Sequence, residues 1–308
     1  MANIREISGR IRSVQDTKKI TNAMYMISST KLRKARKNED ANDPYFQSLC
    51  SMIAYIMEHI PELECEYMDK RDDKPEDEKV HSYIVITADK GLAGAYNHNV
   101  LALAEKLMSE NKNNVLYVVG EVGRQYFAGK KIHMDGQFQY TAQNPTVYRA
   151  KAIADQVIKE YLDKKVDDVT ICFTSDDAGH GSEPLYMRLL PLIPDDIFGR
   201  DMTSDNVSQS ELTFDPSPLE VLNNIIPDAI VGFIYSALVD SFCTEQNERM
   251  IAMDAANKNA DTMIHDLSIQ YNRMRQQMIT QEITEVIAGA KAQKKKKLDA
   301  ARREGRVL

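Results

Sequence analysis

The sequence predicts an α/β fold: a long antiparallel coiled coil of the N- and C-terminal helices, with an inserted Rossmann-like α/β domain between them. Three observations predict it. No proline precedes Pro44, and the only glycine before it is Gly9. From Asp228 to Gln293 there is no proline, and the only glycines are Gly232 and Gly289. Between these ends, short β-branched runs alternate with helical stretches.

The N-terminal stretch carries apolar residues at Ile4, Ile7, Ile11 and Val14, a three–four–three spacing that matches a coiled-coil seam. The stripe drifts to Ile20, Met24 and Ile27 and returns at Leu32 and Ala35. A straight helix drifts in this way against a strict seven-residue repeat. Asp43-Pro44 is expected to kink or interrupt the helix, because proline disfavours helical geometry in the residue before it.

The C-terminal stretch repeats the pattern at Met253, Ala256, Ala260, Met263, Leu267, Tyr271, Met274 and Met278. At 1.5 Å per residue, the 66 residues from Asp228 to Gln293 would span roughly 100 Å. Such a helix needs a partner along its length. Two long helices at opposite ends of one chain can supply each other, provided they pair antiparallel.

In the middle, Val80–Thr87, Val115–Val119 and Val169–Thr174 read as strands, with Tyr186–Ile193 as a further candidate. Helical stretches lie near Asn97–Ser109, Val122–Ala128 and Ala150–Tyr161. The alternation predicts a mostly parallel sheet. Glu62–Lys79 and Ile193–Pro218, rich in Pro and Asp, read as exposed loops. The expected boundaries are 1–60 for the first helix, 78–212 for the α/β domain, 216–293 for the second helix and 294–308 for a basic extension.

Composition narrows the function. The net charge of −7 speaks against a general nucleic-acid binder. Residues 1–37 hold ten basic and two acidic side chains, which leaves about −15 for the remainder. A basic helix of this kind is a solvated face or a surface for an acidic partner. No apolar stretch approaches the roughly 20 residues of a membrane span, and the N-terminus has no apolar signal core. Cys50, Cys65, Cys172 and Cys243 form no Cys-x-x-Cys pair and read as reduced thiols.

Catalytic signatures were sought and fail. Gly123 to Lys131 resembles a phosphate loop, but five residues separate Gly123 from Gly129, and Lys131 stands where Ser or Thr would hold magnesium. Asp89-Lys-Gly-Leu-Ala-Gly94 with Asn97 is a strand-to-helix turn without the full dinucleotide pattern; a tight turn with Asn97 near a helix cap is the stronger reading. Gly179-His180-Gly181-Ser182-Glu183 is not a nucleophile elbow. The six histidines, His59, His81, His98, His133, His180 and His265, lack metal-ligand spacing.

Two terminal motifs then carry a resemblance. Residues 3–35 contain Ile4-Arg-Glu-Ile-Ser-Gly-Arg-Ile-Arg12, Ile20-Thr-Asn-Ala-Met-Tyr-Met26 and Lys31-Leu-Arg33. The last helix contains Glu248-Arg-Met-Ile-Ala-Met253 and Asn272-Arg-Met-Arg-Gln-Gln-Met-Ile-Thr-Gln-Glu-Ile283. These ends resemble the gamma subunit family of bacterial rotary, F-type ATP synthases. The Asp89–Asn97 turn is similar to a turn of that family, with Ala93 in place of the usual Cys.

The resemblance implies a rotor axle inside a ring of three alpha and three beta subunits. Its α/β foot would join the epsilon subunit and the membrane c-ring. It implies no catalytic residue, cofactor or metal in this chain, and a peripheral position on the cytoplasmic face of the plasma membrane. By the same resemblance, Met24 with Lys18 and Lys19 faces an acidic segment of beta. Arg249, Arg275, Gln276, Thr280 and Glu282 contact beta or support coupling, and Asp215 belongs to the foot. The extension beyond Gly289-Ala290, with Lys294–Lys297, departs from the family pattern, and is either a prolonged helix or a solvated tail.

Two other readings use the same fold. One is a free-standing coiled-coil adaptor, which would be well folded alone. The other is an enzyme using the α/β domain, which would bind nucleotide within residues 80–200.

Overall fold

The computed structural model describes residues 4–60, 63, 65–136, 138–175, 182–193 and 214–303. Gly179, His180 and Gly181, residues 194–213, Glu62 and the end of the extension, 304–308, lie outside the described residues. The elements run α1 (Ile4–His59), β1 (His81–Ile86), α2 (Tyr96–Glu110), β2 (Asn114–Val119), α3 (Glu121–Gly129), α4 (Val147–Leu162), β3 (Asp168–Ser175), β4 (Glu183–Leu190) and α5 (Pro218–Arg303). The chain splits into two compact units, Tyr25–Ala252 and Met1–Met24 with Met253–Leu308.

In the larger unit the strands form one sheet in the order β2-β1-β3-β4. β1 pairs parallel with both β2 and β3, while β4 pairs antiparallel with β3. The strand alternation decides which residues face which layer. Ile84, Ile86, Tyr117, Val119 and Ile171 share one core with Ile153, Ala154 and Val157 of α4 and Ile226, Ile230 and Ile234 of α5. Tyr83, Val85, Leu116, Val118 and Cys172 share a second core with Val100, Leu101 and Ala104 of α2 and Phe127 of α3. Coverage of both faces explains why β1 is buried at every position.

Local chemistry fits these elements. Thr146 caps α4 by accepting the Arg149 N–H at 3.3 Å. Gly120 has φ of 95°, and a Cβ there would come within 2.2 Å of the Thr87 carbonyl oxygen, so only glycine serves the β2–α3 turn. The segment before β1 is tied to the sheet by Arg71, 2.7 Å from Asp167, and by the Tyr161 hydroxyl, which donates to the Asp69 carbonyl at 2.7 Å.

Within the same unit α1 and α5 run antiparallel. Asn42 meets Tyr235 at 3.5 Å, and Phe46 lies over Gly232. One stretch of α5 is long and apolar enough to cross a membrane, but 67% of it is buried inside the protein, as in a core helix.

In the smaller unit the antiparallel sense is fixed by two side-chain pairs. Lys18 Nζ lies 2.5 Å from Asp261 Oδ1, and Thr21 Oγ1 donates to Asn257 Oδ1 at 2.5 Å. Ile7 and Met253 are buried, but the seam is more polar than the heptad count predicts. Ile20 faces solvent, and Lys18 and Thr21 take the contact positions. On the other helix Met263 is exposed and Ile264 turns inward. The inward positions themselves keep heptad spacing, at 4, 7, 11, 14, 18 and 21 on α1 and at 253, 257, 260, 264, 267, 271 and 274 on α5, so it is the apolar side chains that leave the seam.

The expectation at Pro44 needs correction. Pro44 does not interrupt α1, which continues to His59. Pro227 likewise lies inside α5, which begins at Pro218. A proline removes one rung of the helix, but burial of Cys50, Ile53 and Ile56 beyond Pro44, and of Leu222 and Ile226 before Pro227, holds each helix together. β2 and β3 extend one residue past the β-branched runs, β1 stops one residue short of its run at each end, and β4 is Glu183–Leu190 where Tyr186–Ile193 was expected.

The closest helix approach gives a test. A Cβ on Gly232 would lie 2.3 Å from Phe46 Cδ1. Gly232→Ala gains helix propensity but overpacks this contact, so a net loss of about 1–3 kcal/mol is expected. Urea unfolding of the full chain reads it, and an unchanged or raised midpoint would contradict the contact.

Candidate functional site

The C-terminal ends of β1 and β3 mark the point where the chain switches from one side of the sheet to the other. In open α/β sheets ligands bind in that crevice. Here the crevice is filled by the protein itself. Tyr96, at the start of α2, is fully enclosed, and its phenol hydrogen-bonds Ser241 of α5. The Ser241 hydroxyl also accepts the backbone N–H of Thr174 at 3.2 Å.

One and two turns further along α5, Glu245 and Arg249 form an ion pair of 2.6 Å, both largely buried. The Arg249 guanidinium also donates to the carbonyls of Lys90 at 3.2 Å and Gly91 at 3.1 Å. Gly94 has φ of 55°, and a Cβ there would sit 3.0 Å from Glu248 Oε2. The turn is thus seated against α5 along one stripe of that helix. Its other side is held by Asp89, which accepts the backbone N–H groups of Glu121 and Gln143 and the hydroxyl of Thr141. Asn97 does not cap α2; its side chain accepts the Ala88 N–H at 2.9 Å and draws the turn onto the end of β1.

The phosphate-loop lookalike is also accounted for. Gly123 and Gly129 lie within α3, where Gly123 packs against Thr87, and Lys130 pairs with Glu105. Among the described residues no group of three or more His, Cys, Asp or Glu could hold a metal ion.

The other residues singled out by resemblance do not converge on one site. Lys18 is engaged with Asp261, and Lys19 is exposed and paired with Asp16 at 2.9 Å. Met24 is half-buried, while Arg275, Gln276, Thr280 and Glu282 are all exposed on the far run of α5. Asp215 is exposed just before α5 begins. Arg249 stands apart because it is buried and faces the α/β domain. Sequence reasoning missed its partners Glu245, Ser241 and Tyr96; the i, i+4 spacing of 241, 245 and 249 was the available signal.

From Arg275 to Lys297 every residue is exposed. The run includes Met278, Ile279, Ile283, Val286 and Ile287, with Val286 at 72% relative exposure. This is a helix with apolar side chains and no covering partner among the described residues.

The ATP synthase family pattern matches residues 3–293. The ATP synthase gamma chain of Ruminiclostridium cellulolyticum is 42% identical over 292 residues, covering 94% of this chain and 98% of that relative. The chain belongs to the ATP synthase gamma-chain family. A further gamma chain, described as sodium ion specific, from Acetobacterium woodii, is 34% identical over 302 residues and covers 94% of this chain and 98% of its own length. Among solved structures, the Euglena gracilis mitochondrial ATP synthase in its OSCP/F1/c-ring form contains a chain of the same fold. The TM-score is 0.63 at 14% identity, covering 96% of this chain and 95% of that one. The rotor of the same organism's enzyme matches with a TM-score of 0.61 at 14% identity, covering 90% and 98%. The gamma-chain fold therefore extends over both long helices and the sheet.

Burial gives the Glu245 contact a pH dependence. Desolvation raises its carboxyl above the ordinary 4.5, and Arg249 and Lys31 offset this only in part. The folded state then keeps the proton to higher pH than the unfolded chain. The stability Glu245 contributes is complete below 4.5 and is lost as pH rises through the folded value. Wild type is expected to lose stability relative to Glu245→Gln as pH rises above 4.5. Urea midpoints of the two full chains at stepped pH check this; parallel curves would contradict it.

Proposed function

We propose that this chain is the non-catalytic central rotor shaft of a bacterial F-type ATP synthase. Ion flow through a membrane c-ring turns the shaft, and the shaft drives ATP synthesis or, in reverse, is turned by ATP hydrolysis in the catalytic ring. Its partners are three alpha and three beta subunits, the epsilon subunit and the c-ring. It sits peripherally on the cytoplasmic face of the plasma membrane.

The observation that carries this reading is the far run of α5. A helix that exposes Met278, Ile279, Ile283, Val286 and Ile287 along one broad face is built to be covered by a partner. In this reading the covering body is the alpha–beta ring. Such a shaft needs no active site of its own: it changes the ring's sites by presenting different faces to them in turn. In this reading the basic face around Met24, Lys18 and Lys19 meets an acidic segment of beta. Arg275, Gln276, Thr280 and Glu282 line the enclosed run, and Asp215 lies on the foot.

The direct test is assembly. Mixed with alpha and beta from the same organism, the chain is expected to give a complex of one copy with three of each by native mass spectrometry. ATP hydrolysis, absent from this chain alone, should accompany it. A chain that stays apart from competent alpha and beta subunits would sink the proposal.

The basic extension belongs to the same reading. α5 continues as helix through Lys294–Lys297 to Arg303, which supports a prolonged shaft over a solvated tail. With its apolar contacts ending before this point, truncation after Gln293 is expected to leave assembly intact and the ATPase rate within about twofold, a change below 0.5 kcal/mol. A larger loss in a steady-state assay would give the extension a required role.

A further inference from the structure

We infer that Tyr96, Ser241, Glu245 and Arg249 form a rotation-resisting joint between the α/β domain and the C-terminal helix, and that these are positioning residues for torque transfer. The inference rests on the rotor reading above and deepens it.

Torque entering the α/β domain must pass into α5 within the unit Tyr25–Ala252. Most of that contact is apolar: Ile226, Ile230 and Ile234 pack against one face of the sheet. Burial of this kind is non-directional and depends on area, not on angle. It holds a cylinder in place but resists turning about the cylinder's own axis only through side-chain interlocking. Hydrogen bonds and ion pairs are directional and weaken steeply off-angle.

The directional contacts are concentrated on one stripe. Ser241, Glu245 and Arg249 are spaced four residues apart, so they project from one side of α5. Two of the three are tied directly to the α/β domain: Ser241 to Tyr96 and Thr174, and Arg249 to the carbonyls of Lys90 and Gly91. Glu245 holds the Arg249 guanidinium at 2.6 Å, and Lys31 of α1 adds a second positive charge beside it. The bonds are charge-assisted and shielded from water, the setting in which they are strongest. They lie close to Ala252, where the unit ends, so they carry load at the point where the helix leaves it.

The end of the sheet where ligands bind in other open α/β folds is here the place where Arg249 fastens the turn, through the Lys90 and Gly91 carbonyls.

The test uses the complete ATP synthase carrying this chain, reconstituted in vesicles, with ATP hydrolysis and ion pumping measured together. Arg249→Ala is expected to lower ions pumped per ATP hydrolysed by about threefold to thirtyfold, while hydrolysis continues. Arg249→Lys keeps the charge, but its nitrogen lies one bond nearer the backbone than Arg249 Nη2, which makes all three contacts, and it should fall between. Tyr161→Phe, which loses its bond to Asp69 away from α5, serves as the structural control and should leave the ratio unchanged. Hydrogen exchange at residues 89–96 should quicken in Arg249→Ala and not in Tyr161→Phe.

If Arg249→Ala does not assemble, Arg249→Lys and Glu245→Gln carry the same comparison. Faster exchange with an unchanged pumping ratio would overturn the joint while leaving the rotor reading intact. A wild-type chain that restores no hydrolysis with alpha and beta would overturn both.

Discussion

Everything in the larger unit depends on the burial of one stretch of α5 beneath the sheet. Leu222, Ile226, Ile230, Ile234 and Leu238 lose contact with water almost completely. Each such side chain contributes roughly 1.5–3 kcal/mol, enough for a handful to outweigh the rung lost at Pro227. The same stretch fixes where Ser241, Glu245 and Arg249 can point. A helix seated on the sheet at Ile226–Leu238 has no freedom to choose its azimuth two turns later. The polar stripe is therefore pre-positioned by the apolar one, and the two divide the work between affinity and direction.

The fold was largely legible in the sequence because its signals are periodic. Val115–Val119 and Val169–Thr174 stand out as β-branched runs, and both proved to be strands within a residue or two. The long helices were legible from the absence of Pro and Gly. What periodicity misjudged was the seam: Ile20 and Ile27 are apolar yet exposed, while Lys18 and Thr21 make the contacts. Hydrophobicity reports what prefers to be buried. It does not report that the heptad positions themselves can be filled by polar pairs such as Lys18–Asp261 and Thr21–Asn257.

The candidate site was legible only in fragments. The turn at Asp89–Gly94 and the residue Arg249 were each visible, but they lie far apart in sequence and no local pattern joins them. Their contact is tertiary, made by carbonyl groups of Lys90 and Gly91 that every residue possesses. Tyr96 was hidden for a similar reason, since a tyrosine at a helix start reads as ordinary packing until its hydroxyl is seen to meet Ser241. Gly120, by contrast, announces nothing in sequence and proves indispensable because the Thr87 carbonyl crowds it.

The two internal prolines, finally, grade the mechanical character of the chain. Pro44 and Pro227 each delete a backbone rung, and both fall within Tyr25–Ala252, where other elements brace the helix. From Met253 to Arg303 α5 contains no proline and a single glycine, Gly289. Bending compliance is thereby confined to the braced stretch, and the stretch with the fewest lateral supports is the one whose hydrogen-bond ladder is unbroken. Stiffness is supplied by sequence where it is not supplied by neighbours.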